Sequence, residues 1–550
     1  MGRNKVLLSC LMLVAMLITS AQDRYMVFFS DKANVGYSID HPEEFLTSRA
    51  IARREKHGIA ITEQDLPVDQ NYINQVADKG VDVFFSTKWF NGVLAQMTAS
   101  QATSVGQLSF VDSVVYIAGG TRLLTTPGTY TVAETFLDPE SVNSNTEVQL
   151  AMLGADDMHE DGFEGQGMMI AVFDSGFPGV NKYKPFEHIF AEDRLVATRD
   201  FIANSGNVFQ YNTHGASVFS NIASDYLDVI GTAPKASFVL CVTEDVKSEY
   251  WIEEYNWLFA AEFADSLGVD VINGSLGYST FSDKNMDYTY EDMNGQNTLV
   301  AKAANIASQK GMIVVVSAGN EGNGSWKYIT SPGDAKDILT VGSVTSGYNK
   351  SSFSSVGPTA DGRIKPDVCA MGTSASIFNA SLSTSGETTS ARITTGNGTS
   401  FSSPQIAGFA AAIWQANPEW TNEEVMESIR MSGTSSLVPD SLYGFGVPKY
   451  RLAVNGATID AVDVFEDKLK VYPNPFSEDK VTLDFGDLKL KGKLEILIKD
   501  MEGKSIYHNK IDGQEIPNNL EIAIDPTVNG VYFLILRTKR FNKTVKLVKI

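Results

Sequence analysis

Five short apolar runs without polar alternation recur through the middle of this chain: Met168 to Phe173, Ser237 to Val242, Val269 to Ile272, Met312 to Val316 and Ile338 to Val341. Each holds four to six residues rich in β-branched types, and stretches of helical pattern such as Tyr255 to Leu267 and Thr298 to Lys310 stand between them. A strand with one wet face alternates apolar and polar residues; a strand without alternation is buried on both faces. Residues 147–456 are therefore predicted as an α/β domain with a mainly parallel sheet flanked by helices. In such sheets functional groups collect at the carboxyl ends of the strands. The residues that close these runs are accordingly the ones to inspect.

Pattern changes mark units on either side. Arg3 and Lys5 precede an apolar run from Val6 to Ile18, and Thr19-Ser20-Ala21 offers small residues, so residues 1–21 read as a secretory signal peptide cleaved after Ala21. The run is too short for a comfortable membrane span. Residues 22–125 are predicted as a small α+β unit, with strands at Tyr25 to Phe29, Val81 to Phe85, Val93 to Met97 and Leu108 to Val111 and helices at Pro42 to Lys56 and Ala99 to Val105. Thr125 to Asn145, rich in Thr, Ser, Asn and Pro, reads as a linker, and 457–470 as another. From Val471 to Ile550, short runs at Val481 to Phe485, Leu494 to Lys499, Leu520 to Ile524 and Val531 to Leu536 suggest a small antiparallel β-sandwich.

Charge supports the same division. The 550 residues carry a formal net charge of −22, which argues against nucleic acid or an anionic membrane surface as the main partner. From Ala461 onward there are fifteen Lys/Arg against fourteen Asp/Glu, so the acidity belongs to the first 460 residues. Of the three cysteines, Cys10 falls in the signal segment, and Cys241 and Cys369 sit in apolar strand-like runs as expected for buried free thiols.

Four residues stand where the chemistry is expected. Asp174 follows the first apolar run, and Asn320 follows Met312 to Val316 by way of Ser317-Ala318-Gly319. His214 opens a helical run in Thr213-His214-Gly215, and Ser400 lies in Gly398-Thr399-Ser400-Phe401-Ser402-Ser403-Pro404, ahead of an apolar helix through Trp414. Singly, these are a turn aspartate, a turn asparagine, a satisfied histidine and an N-cap serine. Jointly they give Asp, His and Ser in that chain order, with an amide side chain available. Pro404 is expected in the first helical turn, where its missing N–H costs nothing.

Asp174-Ser175-Gly176, His214-Gly215, Ser317 to Asn320 and Gly398 to Pro404 resemble the four signature blocks of the subtilases, the subtilisin-like serine peptidases, and Ile272-Asn273-Gly274-Ser275-Leu276-Gly277 resembles their substrate-binding strand. The resemblance covers residues 147–456, with Gly274 and Ala216 as tolerable departures. It implies peptide hydrolysis with Ser400 as nucleophile, His214 as general base and then acid, Asp174 as the residue that orients the imidazole, and Asn320 with the Ser400 N–H as oxyanion donors. It further implies that an extended substrate pairs beside Ser275, Leu276 and Gly277, with the first specificity pocket between them and Ala318-Gly319; Glu321 stands at the rim of that pocket, as a selector for basic residues or as a solvated carboxylate.

The first unit is similar to an inhibitory, chaperone-like propeptide. The last resembles the C-terminal sorting domain of type IX secretion substrates, on Tyr472-Pro473-Asn474-Pro475-Phe476, Gly530-Val531-Tyr532-Phe533 and Lys546 to Ile550. The expected partners are therefore protein or peptide substrates, the chain's own propeptide and the type IX machinery, and the expected location is outside the cell. No cofactor is expected beyond a structural calcium ion of the kind this fold often holds; the acidic segment Asp283, Asp287, Glu291 and Asp292 offers ligands for one or is simply a solvated loop. The rival reading is a pseudopeptidase that binds peptides without cutting them.

Overall fold

The computed structural model describes residues 22–120, 128–456 apart from 385 and 387, and 469–550 apart from 479, 486–491, 502, 514–516, 518, 525–528 and 538–541. The predicted signal peptide, and the parts of the linkers at 121–127 and 457–468, lie outside the described residues.

The first unit is a four-stranded antiparallel sheet of β1 (Asp23–Phe29), β2 (Asp82–Thr87), β3 (Gly92–Met97) and β4 (Val111–Ala118), in the order β2-β3-β1-β4. Helices α1 (Ser48–Lys56), α2 (Gln70–Ala77) and α3 (Ala99–Val105) accompany it. The helix expected over Pro42 to Lys56 is broken: Pro42–Glu44 is a 3-10 turn, and Thr47 starts a second helix by accepting from the Ala50 N–H. A threonine that caps cannot also continue the helix before it. The strand expected at Leu108 to Val111 begins only at Val111, because Leu108 and Val111 bond within a tight turn.

The central domain is built on a seven-stranded sheet, parallel at every pairing. Its strands are β5 (Met169–Asp174), β6 (Leu195–Asp200), β7 (Ser237–Val242), β8 (Val271–Gly274), β9 (Ile313–Ser317), β10 (Leu339–Val344) and β11 (Val368–Met371). They lie in the order β11-β10-β9-β8-β5-β7-β6. One face packs under α4 (His214–Ala223) and α7 (Thr399–Ala416), the other under α5 (Ile252–Leu267) and α6 (Leu299–Gln309). The absence of alternation follows: β5, β8, β9, β10 and β11 are buried at every position. Register then sets the site. Gly274 on β8 is level with Phe173 on β5 and Val316 on β9, so Asp174, Ser275 and Ser317 emerge together at one edge of the sheet.

The sheet of the first unit lies on α5. Met26, Phe85, Trp89, Leu94 and Ile117 share one apolar cluster with Ile252, Tyr255 and Phe259. Beside it is a buried charge network. Asp265 accepts from Arg53 (2.7 Å) and Arg54 (2.8 and 3.0 Å) and pairs with Lys88 (3.2 Å), while Asp65 pairs with Arg54 (3.2 Å) and Lys310 (2.8 Å). Glu262 accepts from the Thr87 hydroxyl and from the Lys88 and Trp89 backbone amides.

The last unit is a two-sheet antiparallel sandwich closed over Phe476, Val481, Leu494, Ile496, Ile522 and Leu534. Three of its strands, Lys470–Tyr472, Ser505–Gly513 and Asn542–Lys549, were not expected from the apolar pattern, and all three are sheet edges, as is β6 in the central domain. These four edge strands carry polar and charged residues and so lack the apolar signature. Cys241 and Cys369 are buried free thiols, and burial pushes the Cys369 thiol up to about 12. Among the described residues no helix is long and apolar enough to cross a membrane.

The acidic segment at 283–292 is not a ligand cluster. Asp283 caps Asn285, Asp287 accepts from the Phe281 N–H at 2.6 Å, and Asp292 closes a capping box with Thr289. Three of its four carboxylates, those of Asp283, Asp287 and Asp292, accept from backbone amides.

Candidate active site

Asp174, fully buried, closes β5. Its Oδ1 accepts from the Ser175 N–H (2.7 Å) and hydroxyl (3.0 Å), and its two oxygens lie 2.9 and 3.0 Å from His214 Nδ1. An ionised carboxylate only accepts, so the neutral ring carries its proton on Nδ1 and leaves the Nε2 lone pair as a base. Burial opposes protonation of this imidazole, but the Asp174 charge and hydrogen bond outweigh it and raise its pKa above the ordinary value. Asn212 Oδ1 accepts from the His214 N–H at 2.9 Å and fixes the helix start. Gly215 lets the helix come this close: a Cβ there would lie 2.4 Å from the Gly176 carbonyl and 2.8 Å from Asp174 Cβ.

Ser400 is the second residue of α7, a helix buried from Thr399 to Trp414. Pro404 is not in the first turn as expected but inside the helix. Its missing N–H leaves the Ser400 carbonyl without its intrahelical donor. The Ser275 hydroxyl takes that place, donating to Ser400 O at 3.0 Å. Ser275 Oγ also lies 3.3 Å from Ser403 Oγ and accepts from Asn273 Nδ2 at 3.1 Å, and Ser403 donates to Asn273 Oδ1 at 2.7 Å. The proline thus ties the end of β8 to the start of α7. The Ser400 hydroxyl donates to the Ser275 carbonyl at 3.3 Å, and the ring of the next residue, Phe401, is 6.0 Å from that of His214.

Asn320 is held in one orientation. Its Oδ1 accepts from the Thr399 N–H (2.9 Å) and hydroxyl (3.0 Å). A backbone N–H can bond only to the oxygen end of the amide, so the Nδ2 donor is turned toward the start of α7; a Cβ on Gly398 would lie 3.9 Å from it. Beyond Ser275 and Leu276, a side chain on Gly277 or Gly319 would strike Thr330 Oγ1, at 2.1 and 2.8 Å. Ala318 donates its N–H to Val341 and accepts from Thr330, which holds the Ala318-Gly319 segment across from Gly277. A cleft of about 450 Å³ follows, lined by Gly277, Thr330, Glu321, Ser282 and Glu249. All nine residues singled out in the sequence therefore lie along one edge of the sheet. Sequence reading missed Thr399, Asn273, Ser403 and Thr330, small polar residues whose roles arise only from what folds against them.

The structure thus places the chain among α/β proteins whose parallel sheet holds, at its carboxyl edge, a buried aspartate paired with a histidine, a serine at a helix start and an oriented amide. Comparison with known proteins narrows this. Residues 165–446 match the subtilase family model, residues 24–127 a peptidase S8 propeptide domain of Bacteroidota, and residues 470–550 a secretion system C-terminal sorting domain. The chain is 31% identical over 300 residues to subtilisin NAT of Bacillus subtilis subsp. natto, covering 54% of this chain and 67% of that protein. It is 30% identical over 300 residues to a subtilisin of Bacillus pumilus, covering 54% and 93%. The chain belongs to the subtilase family, and it is a serine-type endopeptidase with a propeptide domain and a sorting domain that directs it through type IX secretion to the cell surface or medium.

Proposed function

We propose that this peptidase cuts peptide bonds with Ser400 as nucleophile, His214 as base and acid, and Asp174 and Asn320 in support. The observation that carries this is the bracketing of His214 Nδ1 by both Asp174 oxygens beside the start of α7. Ser400 Oγ adds to the scissile carbonyl and gives its proton to His214 Nε2; the imidazolium is stabilised by Asp174 and then protonates the leaving amine. The oxyanion forms at the helix start, where the Ser400 N–H and Asn320 Nδ2 donate to it. Water repeats the sequence on the acyl-enzyme. An extended substrate pairs with Ser275, Leu276 and Gly277, facing Ala318 and Gly319, so backbone hydrogen bonds supply affinity. Glu321 and Glu249, which line the adjoining cleft, favour a basic side chain there.

The three working parts are then residues 22–125 as an inhibitor removed by cleavage in the linker, 147–456 as the enzyme and 471–550 as the address. A serine-directed phosphonate should stop hydrolysis and leave a single covalent adduct on the Ser400 peptide; an adduct elsewhere, or undiminished hydrolysis, would refute the assignment.

The charge state of His214 sets the pH profile. Catalysis needs the neutral ring, and Asp174 raises its pKa. The acid limb of kcat/KM should therefore have its midpoint above the ordinary histidine value of about 6.5, and Asp174→Asn should move it down. A limb unmoved by that substitution assigns the titration to another group.

A further inference from the structure

His214 is reached from the edge of the sheet through residues 201–213, which join β6 to α4 and hold no helix or strand of their own. One buried side chain gathers this segment. Asp200, the last residue of β6, accepts at Oδ1 from the Ile202 and Ala203 amides (2.8 and 3.0 Å) and at Oδ2 from the hydroxyls of Ser205 (3.2 Å) and Tyr211 (2.8 Å). The bonds to Ile202, Ala203 and Ser205 close a local turn, a common task for an aspartate. The bond from Tyr211 instead spans the segment and grips its far end, just ahead of His214. Tyr211 has a φ of +70°, in the left-handed region. A bulky residue is rare there and the conformation costs free energy, so the surroundings must hold it. From this corner Asn212 donates its N–H to the Ser175 carbonyl at 3.2 Å and accepts from the His214 N–H at 2.9 Å. Phe177 donates its N–H to Val208 at 2.9 Å, and a Cβ on Gly176 would lie 2.1 Å from the Gln210 carbonyl. Residues 208–212 therefore lie directly against the turn that follows Asp174.

We propose that Asp200 is a positioning residue for the His214 imidazole and acts through Tyr211. This role rests on the reading of His214 as the catalytic base. Asp200 is itself fixed, because β6 pairs with β7 up to Asp200 and Val242. The Tyr211 hydroxyl carries that fixed point to the corner of the segment, and Asn212 carries it on to the first residue of α4. Asp174 is buried at the end of β5 and cannot follow a shift of its partner, so the Asp–His geometry varies with the helix start alone. Packing does not replace this restraint, since the His214 side chain is 33% exposed and Tyr211 36%. Without the hydroxyl bond, Tyr211 relaxes out of the left-handed region and takes Asn212 and the first turn of α4 with it. A misplacement of about 1 Å in a catalytic group costs about 10²-fold in rate.

The test uses the enzyme as secreted, with its competent sites counted by a serine-directed phosphonate so that unfolded molecules do not enter the rate. Tyr211→Phe keeps the ring and removes only the hydroxyl; Asp200→Asn removes the charged acceptor. We expect kcat per titrated site to fall by about tenfold in Tyr211→Phe and by about 10²-fold in Asp200→Asn, with KM within about twofold of the parent in both. Thermal unfolding of Tyr211→Phe should stay close to that of the parent. The double variant should be no slower than Asp200→Asn alone, because the hydroxyl it loses no longer has a partner. A kcat per site that is unchanged in Tyr211→Phe overturns the proposal, and this variant decides the matter if Asp200→Asn does not fold. So do effects that multiply in the double variant, which would make the two residues independent, and so does a change confined to KM, which would place Tyr211 against the substrate. Parental turnover by His214→Ala would instead remove the base assignment itself, a separate result from any of these.

Discussion

Ser400→Ala enzyme is expected to lose roughly 10⁶-fold in kcat on peptide substrates, the magnitude measured for loss of the serine in subtilisin, a relative. It should do so without unfolding. The Ser400 hydroxyl makes one long hydrogen bond, 3.3 Å to Ser275, and the residue's anchoring contact is through its carbonyl. The expected stability change is therefore about 1 kcal/mol or less. Asp174→Asn should cost about 10⁴-fold, because an amide facing Nδ1 no longer selects the tautomer that leaves Nε2 basic. Chromogenic peptide turnover, with circular dichroism as the check on folding, measures both. Hydrolysis by Ser400→Ala at the parental rate would remove Ser400 as nucleophile. A correctly folded parental enzyme with no turnover of any peptide would instead favour the peptide-binding pseudopeptidase.

Asp265→Asn should release the propeptide domain. Asp265 is fully buried between Arg53, Arg54 and Lys88. Its burial alone would raise its pKa, yet those three cations hold it down to about 2. Removing the carboxylate leaves Arg53 and Lys88 with only neutral oxygens to meet their charges and Arg54 with Asp65 alone, at a cost of about 3–5 kcal/mol. The inhibition constant of the excised propeptide should rise by about 10²-fold or more. The pH dependence has a definite sign. A carboxylate depressed in the complex favours association above its free pKa of about 3.9, and that contribution is lost only as pH falls toward 2. Mild acid near pH 5 therefore leaves this contact intact. An unchanged inhibition constant in Asp265→Asn would show that the apolar seat on α5 alone holds the propeptide.

Helix α5 carries buried acidic residues at both ends. Its last turns carry Glu262 and Asp265, which seat the propeptide domain, and its first turn carries Glu253, which faces Glu244 and Glu249. None of this is visible as periodicity. The helix is buried almost all round, and Glu262 and Asp265 look misplaced until their partners arrive from the first unit.

Much of the fold was legible because burial on both faces leaves a mark in the residues themselves. The unbroken runs gave β5, β7, β8, β9 and β10 within a few residues. Polar edge strands left no such mark, which is why Leu195–Asp200 and Ser505–Gly513 escaped. Helix ends were harder, since Thr47 could be read either as a helix interior or as a cap, and only the Ala50 contact decides. Pro404 was placed one turn too early because the pattern shows where a helix is apolar, not where its hydrogen bonds begin.

By itself the sequence determined the doubly buried parallel sheet, the signature residues at its strand ends and the exported course, since each rests on local composition or on neighbours in the chain. Tertiary structure alone decided what those residues touch. It set the Asn320 amide by a bond to Thr399, gave the carbonyl freed by Pro404 to Ser275, and gathered Arg53, Arg54 and Lys88 around Asp265. The reason is the length of the loops: partners 79, 125 and more than 200 residues apart meet only when the sheet register brings them together, and a sequence does not record distances that only packing creates.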